Sequence, residues 1–245
     1  MVKTTMPITT MPTTTMPDTN LSTTHRPAAH ANGAQRTTTK LLIFGATGTV
    51  GRELVQQALA QGYAVTAFAR TPTKLALQHE NLTIVQGDVL DPAAVERAVP
   101  GQDVVLCALG AGAKGQVRSE GTKHIVAAME KVGVRRLICQ STLGVGDSRS
   151  NLNFFWKYIM FGLLLRNAYA DHVQQEAYVK ASTLDWTIVR PAAFTDGERT
   201  GVYQHGFSGT DHSTTLKISR ADVADFLLQQ VVDDRYLCAT PGLSY

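Results

Sequence analysis

The stretch Lys40–Gly51, KLLIFGATGTVG, decides the fold of this 245-residue chain. Its first five residues are a short apolar run typical of a buried strand, and the glycine-rich turn Gly45–Gly51 ends that run. A strand that enters a helix through such a turn predicts the start of a βαβ unit. Glycines at these points permit a tight turn and let backbone N–H groups approach a phosphate closely. Apolar residues at helical spacing continue the pattern, at Val50, Leu54, Val55, Ala58 and Leu59.

The alternation of strand and helix continues to the end of the chain. Further strands are predicted at 63–69, 82–86, 103–108, 136–141 and 185–190, and helices at 91–99, 119–133, 167–182 and 219–232. This order predicts an α/β protein with a Rossmann-type doubly wound parallel sheet, in a single domain over residues 40–245. Ligands of such sheets bind at the carboxyl ends of the strands. The site is therefore expected in the turns after Phe44, Ala69, Gly87, Ala108, Ser141 and Arg190.

Residues 1–39 have a different composition. Thirteen of them are threonine, and Thr-Thr-Met-Pro occurs three times, which predicts a disordered Thr/Pro-rich tail. No apolar stretch typical of a secretory signal follows the first basic residue. A dispensable tail, an upstream start codon with Met16 as the true start, and an organelle transit peptide all remain open.

Composition excludes several classes of protein. Residues 40–245 carry 20 basic and 19 acidic side chains, a balance that argues against a nucleic-acid partner. No apolar run is long enough for a transmembrane helix, so stable membrane insertion is not expected. The three scattered cysteines predict neither a disulfide framework nor a metal site, and they indicate a reduced, cytoplasmic setting. The oligomeric state stays open.

The residues after the second and third strands predict which cofactor is bound. An NAD-preferring site places an acid after the second strand, but this chain has Arg70 there, with Lys74 nearby. Cations at this position suit a 2′-phosphate and predict NADP(H), although a pair of solvated surface cations would look the same. Asp88 follows the third strand, where it would accept a hydrogen bond from the adenine amine or simply hold the turn.

After the fourth strand, the small residues of CALGAG (107–112) let a cofactor pass close to the backbone. Lys114, Gln116 and Arg118 follow them, as phosphate contacts or as solvated side chains.

Taken together, the chain resembles the atypical short-chain dehydrogenases, in particular their NmrA-like and flavin reductase/biliverdin-IXβ reductase branch. The resemblance spans about Lys40 to Cys238. Its segments are IFGATGTVG (43–51), ARTPTK (69–74), QGDVLDPAAV (86–95), GQDVVLCALG (101–110), SEGTKHIVAAM (119–129), LICQST (137–142), LDWTIVRP (184–191) and ISRADVADFLL (218–228).

The resemblance implies site residues position by position. It places Ser141 beside the nicotinamide and Pro191 along its carboxamide side, and it matches His172 to a helix histidine of the flavin reductase. Where that enzyme has a second histidine, just after the proline, this chain has Ala192. The remaining implied cofactor contacts are Gly45, Thr47, Gly48, Thr49, Val50, Arg70, Asp88, Val89, Leu109 and Gly110.

The Tyr-x-x-x-Lys pair of ordinary short-chain dehydrogenases is missing, because Tyr158, Tyr169 and Tyr178 lack a lysine four residues on. Reduction of an unactivated carbonyl needs such a positioned acid. A flavin, a quinone or a similar flat conjugated acceptor does not, since its reduced anion is delocalised and takes a proton from water. We therefore expect an NADPH-dependent oxidoreductase of such an acceptor. The alternative is a regulator or assembly factor of NmrA-like type that binds NADP(H) without turnover.

Two residues are the candidates for catalysis. Ser141 would orient the nicotinamide or the acceptor, unless its hydroxyl only satisfies a local backbone group. His172 would donate a proton or contact the substrate, unless it is a structural histidine. Tyr203 and His205, in a glycine-rich segment, are weaker candidates.

The segment 154–165, FFWKYIMFGLLL, is the least expected feature of the sequence. Ten of its twelve residues are apolar or aromatic, and it precedes the helix that carries His172. Core packing, a lid over an apolar pocket, and a surface for a membrane or a subunit all fit this composition. Twelve residues cannot span a bilayer, and the single Lys157 is little charge for interfacial binding.

Overall fold

The computed structural model describes residues 38–110, 116–208, 211 and 213–245. Ten strands are β1 (Lys40–Phe44), β2 (Ala64–Ala69), β3 (Leu82–Gln86), β4 (Val104–Cys107), β5 (Arg136–Gln140), β6 (Asp185–Pro191), β7 (Ala193–Thr195), β8 (Gln204–His205), β9 (Lys217–Ser219) and β10 (Gly242–Ser244). Five α-helices are α1 (Thr49–Ala60), α2 (Pro92–Ala98), α3 (Val117–Val132), α4 (Arg166–Lys180) and α5 (Arg220–Gln229). The predicted tail lies outside the described residues, apart from Thr38 and Thr39.

The main sheet has eight strands in the order β3-β2-β1-β4-β5-β6-β10-β8. All of its pairs are parallel except β10 with β8. The strand order reverses between β1 and β4, so a crevice is expected at the carboxyl ends of these two strands. The predicted Rossmann-type doubly wound fold is confirmed.

Alternate residues of β1 enter two separate cores. Leu41 and Ile43 belong to the core beneath α1 and α5, whereas Leu42 and Phe44 belong to the core beneath α2, α3 and α4. Helices thus cover both faces of the sheet, which is why its central strands read as continuous apolar runs.

Several residues that the sequence predicts as helix caps do end or begin helices in the structure. Asp91 caps α2 by accepting from the Ala93 N–H, and Ser219 caps α5 by accepting from Asp222. Gly133 ends α3 with a left-handed backbone. The helix predicted from Ser119 begins two residues earlier, at Val117, and α5 ends at Gln229 rather than near Val232.

The sequence pattern missed β7, β8, β9 and β10. These strands have two or three residues each, too few to show an alternating pattern. Backbone pairing with residues distant in the chain is what defines them: β10 extends the sheet beyond β6, and β7 pairs with β9. At the far edge of the predicted parallel sheet, β8 runs antiparallel to β10.

Residues Phe155–Leu164 form a π-helix immediately before α4. Not one residue of this π-helix is fully buried, so core packing accounts for only part of this segment. Trp156 and Phe161 pack partly against the core, whereas Phe154, Leu163 and Leu164 are 60–74% exposed. The segment has one inward and one outward apolar face.

Two glycines bring β1, β4 and α1 together at the strand-order reversal. Gly45 has a φ of +82°, and a Cβ there would lie 2.3 Å from the carbonyl oxygen of Ala108. A Cβ at Gly51, inside α1, would lie 2.0 Å from the carbonyl oxygen of Gly45. Backbone atoms cannot yield as a side chain would, so both positions require glycine.

We expect Gly51→Ala to lower the free energy of unfolding by about 1–3 kcal/mol through overpacking. Without the close approach, the change in unfolding free energy would have the opposite sign. Alanine in place of glycine in an unobstructed helix interior would stabilise the protein by about 1 kcal/mol. Denaturant unfolding measures the effect. Gly110→Ala is the control, since its Cβ would meet no atom of the described residues within 4 Å and its unfolding free energy should stay nearly constant. Equal stability of Gly51→Ala and the natural protein would contradict the close approach.

Candidate functional site: a groove across the strand-order reversal

Two clefts adjoin each other at the carboxyl ends of the central strands. The first cleft has a volume of about 660 Å³ and the second about 720 Å³, with the open space at their mouths included. Gly48, Leu109 and Gly110 line both. The two clefts are therefore continuous parts of one groove that crosses the turn after β1 and the end of β4.

The floor of the groove is the N-terminus of α1. Gly48 is the N-cap residue, and it offers no side-chain cap to the helix. Thr49 and Val50 begin the helix and line the second cleft, and no acidic residue lies in the first turn. Uncapped N–H groups at a helix start attract an anion, which fits the pyrophosphate of a dinucleotide.

Arg70 and Lys74 line the outer end of the first cleft, together with Phe68, Gly87 and Val89. Within the part of the chain that the structure describes, neither cation has an ion pair with a carboxylate. Two unpaired cations at the end of β2 suit a 2′-phosphate better than a ribose 2′-hydroxyl.

Asp88 does not line the first cleft. Its Oδ1 accepts a hydrogen bond from the Leu90 N–H at 3.0 Å, which holds the turn after β3. This geometry matches the role of holding the turn, and not that of accepting a hydrogen bond from the adenine amine.

The second cleft combines polar and apolar walls. Its polar lining includes the two candidates for catalysis, Ser141 and His172, and the cation Arg118. Its apolar walls come from the end of β4, the turn after β6 and the inward face of the π-helix: Ala108, Leu109, Trp156, Phe161, Leu165, Ala192, Ala193 and Phe194. A flat apolar ring system fits such a wall, with the polar groups on one side.

The hydroxyl of Ser141 is oriented by a buried ion pair. Ser141 Oγ donates to Glu176 Oε1 at 2.8 Å, and the fully buried Arg190 donates to both oxygens of Glu176 at 2.9 and 2.7 Å. Burial raises the pKa of Glu176, but Arg190, Lys180 and Ser141 together hold it below its ordinary value. Glu176 is thus an anion that fixes the Ser141 proton, leaving the hydroxyl lone pairs to face a ligand as acceptors.

His172 is a buried neutral imidazole. Burial, assisted by the positive charge of Arg118, lowers the pKa of His172 to about 4. Gln175 donates through Nε2 to Thr122, so its Oε1 is the acceptor for His172 Nδ1–H at 3.3 Å. With the proton on Nδ1, Nε2 can accept a hydrogen bond but cannot donate one. This arrangement does not fit the expected role as proton donor.

Arg118 is the cation of the second cleft. Its Nη1 lies 3.4 Å from Asp171 Oδ2, and Asp171 also accepts from the backbone N–H groups of Arg118 and Ser119. Burial lowers the pKa of Arg118 and Asp171 raises it again in part, but a guanidinium stays charged throughout.

Most of the predicted cofactor contacts lie together in the groove. Pro191 lines a smaller adjoining cavity of about 270 Å³ instead, beside Trp156 and Phe161. Lys114 lies outside the described residues. Tyr203 and His205 line neither cleft, since Tyr203 donates to Asp225 and His205 packs on Tyr236. The predicted residues that line the groove are Gly45, Thr47, Gly48, Thr49, Val50, Arg70, Val89, Leu109, Gly110, Ser141 and His172.

Sequence reasoning missed Glu176 and Arg190, whereas Trp156 belongs to the segment that was considered as a lid over an apolar pocket. Glu176 lies four residues after His172 and so shares its helix face, which is a usable signal. Arg190 interrupts the otherwise apolar strand pattern of β6, where a charge requires a partner. The partner itself could not be found, because α4 and β6 meet only in the folded chain.

Comparison with known proteins agrees with this geometry. A family described as NAD(P)H-binding matches residues 45–234, from the glycine turn to beyond α5. The chain belongs to this NAD(P)H-binding family. Membership makes it an NAD(P)H-binding protein.

Three proteins that are similar to this NAD(P)H-binding chain have different names and different described roles. An uncharacterized chloroplastic protein of Arabidopsis thaliana is 32% identical over 67% of this chain and 62% of its own length. The photosystem II assembly factor Ycf39 of Synechocystis is 27% identical over 78% of this chain and 58% of its own length. The chain thus spans less than two thirds of these relatives. The anaerobilin reductase ChuY of Escherichia coli O157:H7 superimposes with a TM-score of 0.67 at 28% identity, over 84% of this chain and 97% of ChuY.

The structure contains no helix long and apolar enough to cross a membrane within residues 38–110, 116–208 and 213–245.

The low pKa of His172 predicts how stability depends on pH. The unfolded protein takes up a proton near pH 6.5, whereas the folded protein resists protonation down to about pH 4. Stability contributed by neutral His172 is therefore complete above pH 6.5 and is lost as pH falls toward 4. Denaturant unfolding of the natural protein and His172→Gln across this range tests it. The unfolding free energy of His172→Gln should fall less steeply between pH 6.5 and 4 than that of the natural protein. Parallel pH profiles of the two proteins would contradict a buried neutral imidazole.

Proposed function

We propose that this protein is an NADPH-dependent reductase of a flat conjugated acceptor, such as a flavin, a quinone or a linear tetrapyrrole. One observation carries the proposal: a continuous groove leads from the unpaired cations Arg70 and Lys74 to an open, apolar-walled cleft beside Ser141. The first cleft suits the phosphates of the cofactor, and the apolar walls of the second suit flat rings.

Each end of the groove has its own role in binding. Arg70 and Lys74 would hold the 2′-phosphate, and the start of α1 would hold the pyrophosphate. Ser141, with its proton fixed on Glu176, would accept from the carboxamide N–H₂ of the nicotinamide. His172 would border the same ring system as a hydrogen-bond acceptor.

NADPH supplies a hydride, and the reduced acceptor then takes one proton, which balances the reaction. Among the described residues of the second cleft, neither candidate for catalysis donates a proton to a ligand: Ser141 donates to Glu176, and His172 is deprotonated at Nε2. A delocalised anion draws its proton from water, so a conjugated acceptor matches the residues present. Arg118 would stabilise the negative charge that develops on the acceptor as the hydride arrives.

ChuY, whose structure is similar to that of this chain, is an anaerobilin reductase, and this similarity supports the proposed reduction of a conjugated substrate. Ycf39, an assembly factor, supports the alternative that this chain binds NADP(H) without turnover. The open second cleft favours the reductase, because a protein that only senses the cofactor needs no space beside the nicotinamide.

NADPH consumption with FMN, riboflavin, a soluble quinone and biliverdin tests the proposed activity. Turnover with any of them supports a reductase. Tight NADPH binding without turnover on all four would overturn this proposal and favour the regulator.

We expect Arg70→Glu to weaken NADPH binding about 10- to 100-fold, the value of one or two charge-assisted hydrogen bonds, while NADH binding is retained. Dissociation constants for both cofactors measure the preference. Arg97→Glu, an equal change of charge on exposed α2, is the control and should alter neither. An unchanged preference in Arg70→Glu would assign the 2′-phosphate to another residue.

We expect Arg118→Gln to lower kcat about tenfold or more, with the dissociation constant of NADPH nearly unchanged. Arg118→Lys keeps the charge and should restore part of the rate. Thermal unfolding of both variants separates this effect from the loss of the Asp171 contact. A raised KM with an unchanged kcat would show that Arg118 binds substrate without acting on the reaction.

A further inference from the structure

The outward face of the π-helix is an apolar surface that no other part of the described chain covers. We define the lid patch as Phe154, Phe155, Tyr158, Ile159, Leu163 and Leu164, which are 39–74% exposed. Phe154 and Tyr158 stack with ring centroids 4.9 Å apart, so the patch presents aromatic rings as well as leucines. Large apolar side chains in one exposed group mark a binding surface.

Basic side chains lie within the lid-patch segment and on both sides of it in the chain. Residues 148–170 contain Arg149, Lys157 and Arg166 and no acidic residue. Of the acids that flank this range, Asp147 pairs with Arg190, and Asp171 is buried beside Arg118. Lys157 Nζ lies 3.4 Å from the Ser150 carbonyl oxygen, Arg149 lies over the Tyr169 ring, and exposed Arg166 begins α4 just after Leu165. The net positive charge of this range complements an anionic surface.

We propose that the lid patch docks on an anionic lipid surface, with its aromatic and leucine side chains in the interface. Exposed aromatics and leucines with flanking cations are the features that hold a helix at a membrane surface. A second copy of this chain fits less well, because two-fold pairing would set Arg149, Lys157 and Arg166 against themselves. Docking does not depend on the proposed reaction.

Docking would have a consequence for the groove. The inward face of the same π-helix, through Trp156 and Phe161, lines the second cleft. A lid that rests on a membrane places the apolar cleft next to the bilayer, where lipophilic conjugated molecules are dissolved.

Sedimentation of the full chain with phosphatidylcholine vesicles, with and without phosphatidylglycerol, tests the docking. We expect binding to the anionic vesicles and little to the neutral ones. Phe155→Ser/Leu163→Ser/Leu164→Ser should weaken that binding at least about tenfold, since these side chains lose their apolar burial. Arg166→Gln should weaken it about fivefold, the value of one basic residue near an anionic surface.

The matched control is Val202→Ser/Val232→Ser, which removes two apolar side chains that are 77% and 79% exposed outside the lid patch. This control should bind vesicles as the natural protein does, and all variants should keep their NADPH affinity. No binding, equal binding to neutral vesicles, or equal binding by the triple variant would overturn the proposal. A dimer in light scattering that the triple variant dissociates, without vesicle binding, would assign the lid patch to self-association instead.

Discussion

The close approach of three backbone segments at the strand-order reversal is the constraint on which the groove depends. Gly45 touches the end of β4 and Gly51 touches Gly45, with no side chain between them. The start of α1 therefore lies directly beside the carboxyl ends of β1 and β4. Because the first N–H groups of that helix lack a side-chain cap, the floor of the groove attracts an anion before any basic side chain contributes.

A second interaction determines which groups at the inner end of the groove accept hydrogen bonds. The Glu176–Arg190 pair joins α4 to β6, and the same carboxylate holds the hydroxyl of Ser141 at the end of β5. Burial of both charges is tolerated because each is hydrogen-bonded to the other in two places. The pair makes Ser141 an acceptor, and Gln175 does the same for His172. Among the described residues, neither Ser141 nor His172 therefore offers a proton to a ligand, which agrees with the proposed conjugated acceptor.

The π-helix connects this site to the surface of the molecule. A π-helix has a wider turn than an α-helix, so ten residues can present apolar side chains on two faces at once. Trp156 and Phe161 complete the cleft, and the lid patch remains outside. The sequence composition alone was compatible with core packing, because composition does not distinguish one buried face from two half-buried ones.

The sequence by itself determined the order of the main strands and helices, the glycine turn and the cationic end of β2. Each of these is local: a strand run, a capping residue such as Asp91, or a cation at a fixed place after a strand. Tertiary structure alone decided the short strands β7–β10, the partner of Arg190 and the protonation of His172. These features depend on groups far apart in the chain, and a buried charge or imidazole acquires its properties only from the neighbours that folding brings to it.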